Sequence, residues 1–182
     1  MSELFSIQLQ NRQQQGRDGV WLDLPTTTEQ VQAALRQIGI SSDNPQGLFI
    51  SGYFAEEEKR IAIPYNMVLA SNVDELNFLA ARLETLSAGE RAELDAALQT
   101  PQSEFSSIGR ITDFPENVDY YVHLPDVRGP AQLGDYYLNR SGMVDMPEEW
   151  KGGIDTAQFG RYVAQQEQGV FTEYGYLVKS GD

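Results

Sequence analysis

The chain contains no cysteine, and none of its apolar runs comes near the roughly 18 residues needed to span a bilayer. The absence of cysteine excludes disulfides and thiolate metal sites. The first residues, Met1 to Ser6, lack the basic stretch and the apolar block of a secretory signal peptide. We therefore expect a cytoplasmic protein that does not enter a membrane.

Basic residues are also scarce. The 182 residues include 13 Lys and Arg against 27 Asp and Glu, which gives a formal net charge of −14. Because phosphate contacts need Lys and Arg, this balance argues against direct binding to nucleic acid or to an anionic membrane. Apolar residues make up 41% of the chain, enough for a core and too many for a disordered acidic tail. A simple alternative is that the acidity serves only solubility.

Recognisable catalytic motifs are missing as well. The single histidine, His123, lies in an aromatic stretch, and the chain has no Gly-x-Ser-x-Gly elbow, phosphate-binding glycine loop or EF-hand spacing. Neighbouring carboxylates at 56–58, 74–75 and 148–149 could serve a glycosidase, but among 27 acids such neighbours arise by abundance. The sequence therefore predicts a binding protein that needs no cofactor and no metal, with a carboxylate hydrolase as a rival interpretation.

The first third of the chain, residues 1–64, is predicted to be a small α+β domain. Its apolar residues alternate where strands are expected and recur every three to four residues where a helix is expected. The stretch Thr26 to Glu29 matches the capping box that begins many helices. The pattern predicts two strands, a helix and a third strand, at 4–9, 20–24, 26–38 and 48–54.

The rest of the chain divides into a helical part, residues 65–101, and a second α+β part, residues 102–182. In the helical part, Asn72 can cap one helix and the Ser87–Glu90 stretch is a capping box for the next. The last part is predicted to contain strands at 105–114 and 120–124, helices at 131–138 and from Asp155 to Gly169, and a closing strand at 171–178.

Three stretches become informative when they are read together and in order. They are Ile63–Val68 with Asn72–Leu83, Gly134–Leu138 with Ser141 and Gly142, and Asp145–Lys151 with Gly153–Asp155, Phe159, Gly160 and Thr172–Leu177. From about Trp21 to the C-terminus, this combination resembles the ArdA family of antirestriction proteins. The resemblance implies a protein carried by mobile genetic elements, which inhibits bacterial Type I restriction–modification enzymes by imitating the DNA that they bind.

The resemblance also implies an organisation. Such proteins are homodimers of elongated protomers with three small domains in a row, which agrees with the divisions at 1–64, 65–101 and 102–182. The partner would be the methyltransferase core of the Type I enzyme, made of specificity and modification subunits. The 134–142 segment resembles the family's antirestriction motif, which is linked to dimerisation. The dimer-interface residues suggested here are Leu133, Tyr136, Tyr137 and Leu138, for which packing within the protomer core is the alternative.

The charge is sufficient for DNA mimicry. Two copies would carry twice 27, that is 54 carboxylates, formally the charge of about 27 base pairs of duplex. Asp74, Glu75, Glu84 and Asp95 avoid the apolar stripes of their helices and are expected to point outward. The full set of carboxylates expected to face the partner is Asp74, Glu75, Glu84, Glu90, Glu93, Asp95, Asp113, Glu116, Asp119, Asp126, Asp135, Asp145, Glu148, Glu149 and Asp155.

Each of these acids has a plainer interpretation as a solvated side chain or a helix cap, and Asp74 and Asp155 are the first candidates for caps. A second function also stays open, that of an acidic adaptor protein that binds a partner without imitating DNA. The two differ in salt dependence, because pairing with a DNA-binding groove weakens as salt rises.

Overall fold

A three-stranded antiparallel sheet with strand order β2-β1-β3 begins the chain. The computed structural model describes residues 3–14, 16–99, 105–114 and 121–179. The strands are β1 (Phe5–Asn11), β2 (Val20–Leu24) and β3 (Leu48–Phe54). Buried and part-exposed residues alternate along β1, as they do in a strand with one face on a core. The strands predicted at 4–9, 20–24 and 48–54 are therefore confirmed.

Four helices and then a mixed region follow. Within the described residues, the helices are α1 (Thr28–Gln37), α2 (Tyr65–Leu69), α3 (Val73–Glu84), α4 (Ala88–Leu98), α5 (Ile108–Thr112), α6 (Pro130–Asp135), α7 (Glu148–Lys151) and α8 (Thr156–Glu167). A second antiparallel sheet has the order β4-β6-β5, with β4 (Tyr121–Leu124), β5 (Val170–Thr172) and β6 (Gly175–Lys179). The α+β class is therefore confirmed. None of the helices described is both long and apolar enough to cross a membrane.

Helix caps lie close to where the sequence placed them. The side chain of Asn72 accepts from the backbone N–H of Glu75 at the start of α3. At α4 the capping box is complete, because Ser87 and Glu90 each accept from the other's backbone N–H. At α1 the cap is Thr27, which accepts from Gln30, so the predicted box at Thr26–Glu29 is one residue out of register.

The stretch from Phe105 to Phe114 is helical at its centre, so the prediction of a strand there was wrong. Its buried apolar residues recur every third position, at Phe105, Ile108, Ile111 and Phe114. Ile108 and Ile111 lie on one face of α5 and Phe105 and Phe114 flank the helix, whereas a half-buried strand needs a period of two. Ser107 caps α5 by accepting from the backbone N–H of Arg110.

The C-terminal stretch 171–178 is a hairpin instead of the single closing strand predicted. The chain reverses between β5 and β6, where the backbone N–H of Tyr174 donates to Oγ1 of Thr172. The same hydroxyl donates to the carbonyl of Gly175, which has a φ of +121°. That conformation is open to glycine and strained for other residues.

Two glycines allow α6 and α8 to cross closely. A Cβ on Gly134 would overlap the backbone of Thr156, and a Cβ on Gly160 would overlap the carbonyl of Pro130. The crossing covers a core in which Val127, Leu133, Ala164 and Tyr176 are buried. After α6, the chain continues as a π-helical turn, Tyr136–Arg140.

The chain's internal contacts divide it into two compact units. The N-terminal unit comprises Met1–Arg91 and Glu104–Pro115, and the C-terminal unit comprises Ala92–Ser103 and Glu116–Asp182. The boundary between them falls within α4. The three-domain division at 1–64, 65–101 and 102–182 stays a prediction.

Candidate partner-binding surface

Seven of the expected partner-facing acids are exposed. Two belong to the N-terminal unit, and the other five belong to the C-terminal unit, where they lie between β4 and the start of α8. The exposed acids are Asp74, Asp113, Asp126, Asp145, Glu148, Glu149 and Asp155. Their carboxylates are accessible to a basic partner. Glu116 and Asp119 lie outside the described residues.

Five more of the expected acids are half-buried: Glu75, Glu84, Glu90, Glu93 and Asp135. For Glu75 and Asp135, the hydrogen-bond donor is a side chain four positions away. Glu75 accepts from the hydroxyl of Ser71 at 2.6 Å, and Asp135 accepts from the side-chain amide of Asn139 at 2.8 Å. Such a side chain can still present its charge to solvent, but the internal partner fixes its direction.

Two of the expected acids are helix caps. Asp155 accepts from the backbone N–H groups of Ala157 and Gln158 at the start of α8. Glu90 accepts from the backbone N–H of Ser87, and this bond, with the Ser87 side chain adding to it, lowers the pKa of the Glu90 carboxyl. Asp74 lies in the first turn of α3, but the cap there is Asn72. A cap accepts hydrogen bonds through its carboxylate, so a cap role and a surface charge coexist in one side chain.

Asp95 does not point outward, and the expectation that it would was wrong. It is buried on α4, with 5% of its surface exposed. The hydroxyl of Tyr174, in the turn between β5 and β6, is hydrogen-bonded to its carboxylate. Chiefly because of that bond, and then because of burial, the pKa of Tyr174 rises to about 12. Asp95 is therefore a structural acid of the C-terminal unit and is inaccessible to a partner.

Glu167, at the end of α8, was not among the acids singled out from the sequence. Its two carboxylate oxygens accept separate hydrogen bonds, from the hydroxyl of Tyr137 at 2.5 Å and from that of Tyr176 at 2.7 Å. Burial, followed by these bonds to a carboxylate, raises the pKa of both tyrosines. The spacing of Phe159, Val163 and Glu167, four residues apart on one helical face, could have identified it as inward-facing.

The four residues suggested for a dimer interface occupy different environments. Leu133 and Leu138 are buried within the protomer, so they match the core alternative. The hydroxyl of Tyr137 is held by Glu167. Tyr136 is half-buried, with its ring 5.5 Å from that of Tyr137 and with the guanidinium of Arg140 over it at 5.8 Å. Tyr136 is the member of the set that is neither fully buried nor hydrogen-bonded to Glu167, and its ring also packs against the protomer core.

Several basic side chains are occupied by nearby acids. Lys151 lies 2.9 Å from Glu148, Lys59 lies 3.2 Å from Glu56, and Arg140 lies 3.6 Å from Asp135. Each pair joins residues that are close in the sequence, and it neutralises one positive and one negative charge. The acids left over set the sign of the surface.

Within the part of the chain that the structure describes, the titratable groups do not gather into a metal centre. No group of three or more His, Asp or Glu residues is placed there to hold a metal ion. His123 has its Nε2 atom 2.8 Å from the backbone carbonyl of Tyr174. Its Nε2–H therefore donates to that carbonyl and ties β4 to the β5–β6 turn.

Comparison with known proteins gives one positive result. The family model described as antirestriction protein (ArdA) matches residues 15–178, which is most of the chain. No match was found among curated proteins.

Proposed function

Because the chain belongs to the ArdA family of antirestriction proteins, we propose that it inhibits Type I restriction–modification enzymes by imitating duplex DNA. Surface carboxylates take the place of phosphates and occupy the DNA-binding groove of the methyltransferase core, formed by specificity and modification subunits. The protein acts by occupancy, without a catalytic step and without a cofactor.

The observation that carries this proposal is the set of exposed acids in the C-terminal unit. Asp126, Asp145, Glu148, Glu149 and Asp155 are all exposed in a chain with a net charge of −14. A groove that binds DNA is lined with Lys and Arg, because these neutralise phosphates. Accessible carboxylates can pair with the same Lys and Arg side chains.

The mimicry is a property of the surface as a whole. A charge pair at a solvated interface contributes only a fraction of a kcal/mol to about 1 kcal/mol, so no single carboxylate dominates. Glu93→Gln alone should leave inhibition nearly unchanged. Loss of all inhibition in that one variant would contradict distributed mimicry.

We further propose that the active form is a homodimer and that Tyr136 contributes to its interface. Tyrosine is enriched at protein interfaces, and the hydroxyl of Tyr137 is already bound to Glu167. Light scattering on Tyr136→Ala should show a folded monomer. A folded dimer would move the interface elsewhere, and an unfolded chain would identify Tyr136 as a core residue.

The test of function is a competition assay. A purified Type I methyltransferase is bound to labelled target DNA, and the protein is titrated in at two salt concentrations. Stoichiometric displacement that weakens with salt is expected. Displacement with no salt dependence would favour the acidic adaptor, and no displacement from enzymes of several Type I families would reject the proposal.

A further inference from the structure

The short helix α7 exposes an apolar side chain and buries the stem of a charged one. Trp150 is 67% exposed. The next residue, Lys151, has only 15% of its side chain exposed. Hydrophobic burial favours the opposite arrangement, because tryptophan is among the most buried residues on average and lysine is almost never fully buried.

The contacts within α7 accompany this unusual arrangement of an exposed tryptophan and a buried lysine stem. Lys151 forms a 2.9 Å ion pair with Glu148, on the same turn of helix, and its stem is buried although the Glu148 side chain is 83% exposed. The backbone N–H of Trp150 donates to the carbonyl of Pro147, and the carbonyl of Trp150 accepts from Gly153. These two bonds fix the backbone on both sides of Trp150, and its indole lies at the surface.

Acidic residues precede Trp150 closely in the sequence. Glu149 is its neighbour in sequence, Glu148 has 83% of its side chain exposed, and Asp145 is exposed at the beginning of the segment. The one cation of the segment 145–151, Lys151, is paired with Glu148. A planar aromatic ring beside exposed carboxylates fits an arginine, which can stack on the ring and pair with a carboxylate at once.

We propose that Trp150 is the apolar anchor of the partner interface and receives an arginine from the DNA-binding groove of the restriction–modification enzyme. This inference rests on the proposed function and adds to it an uncharged residue of the chain. Interfaces concentrate binding energy in a few Trp, Tyr and Arg residues. The carboxylates pair with the basic groove, and the indole adds stacking and burial of apolar surface, which salt screens less than it screens exposed ion pairs.

A second copy of the chain is a poorer occupant of this site. A symmetric contact through Trp150 would bring the Asp145–Glu149 stretch of one copy against the same stretch of the other. Like charges opposed across an interface cost several kcal/mol. A basic partner meets no such repulsion.

The experiment compares Trp150→Ala, Trp150→Phe and, as a matched control, Trp21→Ala. Trp21 is the other tryptophan of the chain and is 50% exposed on β2, in the N-terminal unit. The concentration that displaces half of the labelled DNA from the methyltransferase is measured at several salt concentrations. Circular dichroism and light scattering on each variant report its fold and its oligomeric state.

We expect Trp150→Ala to require at least about tenfold more protein for half displacement, with the same slope against the logarithm of salt concentration. Trp150→Phe should retain most of the activity because it keeps an aromatic face, and Trp21→Ala should match wild type. Trp150→Ala displacing DNA as well as wild type would overturn the anchor while leaving the proposed function intact. A changed oligomeric state in Trp150→Ala would also overturn it, by assigning the indole to a second copy. No displacement by the wild-type protein would reject both.

Discussion

The hydroxyl of Tyr176, on the central strand of the C-terminal sheet, donates a 2.7 Å hydrogen bond to Oε2 of Glu167, at the last turn of α8. The other oxygen of the same carboxylate accepts from Tyr137, in the π-helical turn. One side chain thus joins a helix to a strand residue nine positions later and to a turn 30 positions earlier. It also separates the acids of this protein into two kinds, those that hold the fold and those that face solvent.

Glu167→Ala should therefore destabilise the fold strongly, although it removes one of 27 acids. Hydrogen bonds to charged groups contribute about 1.5–3 kcal/mol each, so we expect a loss of about 2–4 kcal/mol in the free energy of unfolding. Urea denaturation followed by circular dichroism measures it. Glu149→Ala, at an exposed acid, is the control and should stay within about 0.5 kcal/mol of wild type. Equal stability of the two variants would refute the structural role of Glu167.

Gly160→Ala should be among the most damaging single-methyl changes in the chain. The added Cβ overlaps the backbone carbonyl of Pro130, which cannot move aside as a side chain could. Overpacking of this kind costs about 1–3 kcal/mol or more, measured as a lower midpoint of thermal unfolding. Gly152→Ala is the control, because nothing lies within 4 Å of its Cβ position, and it should be neutral or slightly stabilising. A Gly160→Ala protein as stable as Gly152→Ala would show that α6 and α8 are not in close contact.

Stability should fall at alkaline pH. The pKa of Tyr174 is raised to about 12 by Asp95, whereas an unfolded tyrosine has a pKa of about 10. Above pH 10 the unfolded chain loses this proton and the folded chain keeps it, so the stabilisation is complete below pH 10 and is lost as pH rises to 12. Denaturant unfolding across this range should show a steeper decline for wild type than for Tyr174→Phe, which lacks the ionisable hydroxyl. Identical declines would mean that the Asp95–Tyr174 bond does not form in solution.

Neutralising clustered exposed acids should weaken inhibition in proportion to their contribution to the surface charge. The triple change Asp145→Asn, Glu148→Gln and Glu149→Gln should raise the concentration needed to displace DNA and reduce the dependence on salt. The matched control changes Glu56, Glu57 and Glu58 to Gln.

That control alters net charge by the same amount and also breaks one Lys–Glu pair at i,i+3 spacing. It lies next to the basic residues Lys59 and Arg60, so we expect it to have the smaller effect. Equal losses in the two triple variants would indicate that only the total charge matters and not its position.

Predictions from local sequence patterns were accurate where contacts between neighbouring residues decide the structure. The side-chain oxygens of Asn72, Ser87 and Asp155 cap helices because the free N–H groups of a helix start lie within three residues of them. The alternation in β1 is likewise local, since one face of the strand is buried. The strand predicted at 105–114 was wrong because the buried residues there recur every third position, which fits a helical turn better than the period of two of a half-buried strand.

Long-range contacts explain what sequence patterns missed. Asp95 was expected outside because it lies off the apolar stripe of its helix. It is inside because Tyr174, 79 residues later, provides the hydrogen bond that a buried carboxylate requires. Glu167 was overlooked for the complementary reason, since its partners Tyr137 and Tyr176 come from two other elements.

The sequence by itself determined the α+β class, most element positions, the excess of carboxylates and, through its motifs, the ArdA family. These follow from periodicity, composition and ordered local patterns, all of which are carried by neighbouring residues. Only the tertiary structure decided which carboxylates are available to a partner, placing Asp95 and Glu167 against tyrosines and leaving Asp145, Glu148 and Glu149 at the surface. The physical reason is that the burial of a charge depends on whether the fold brings a hydrogen-bond donor to it, and those donors come from other elements of the fold.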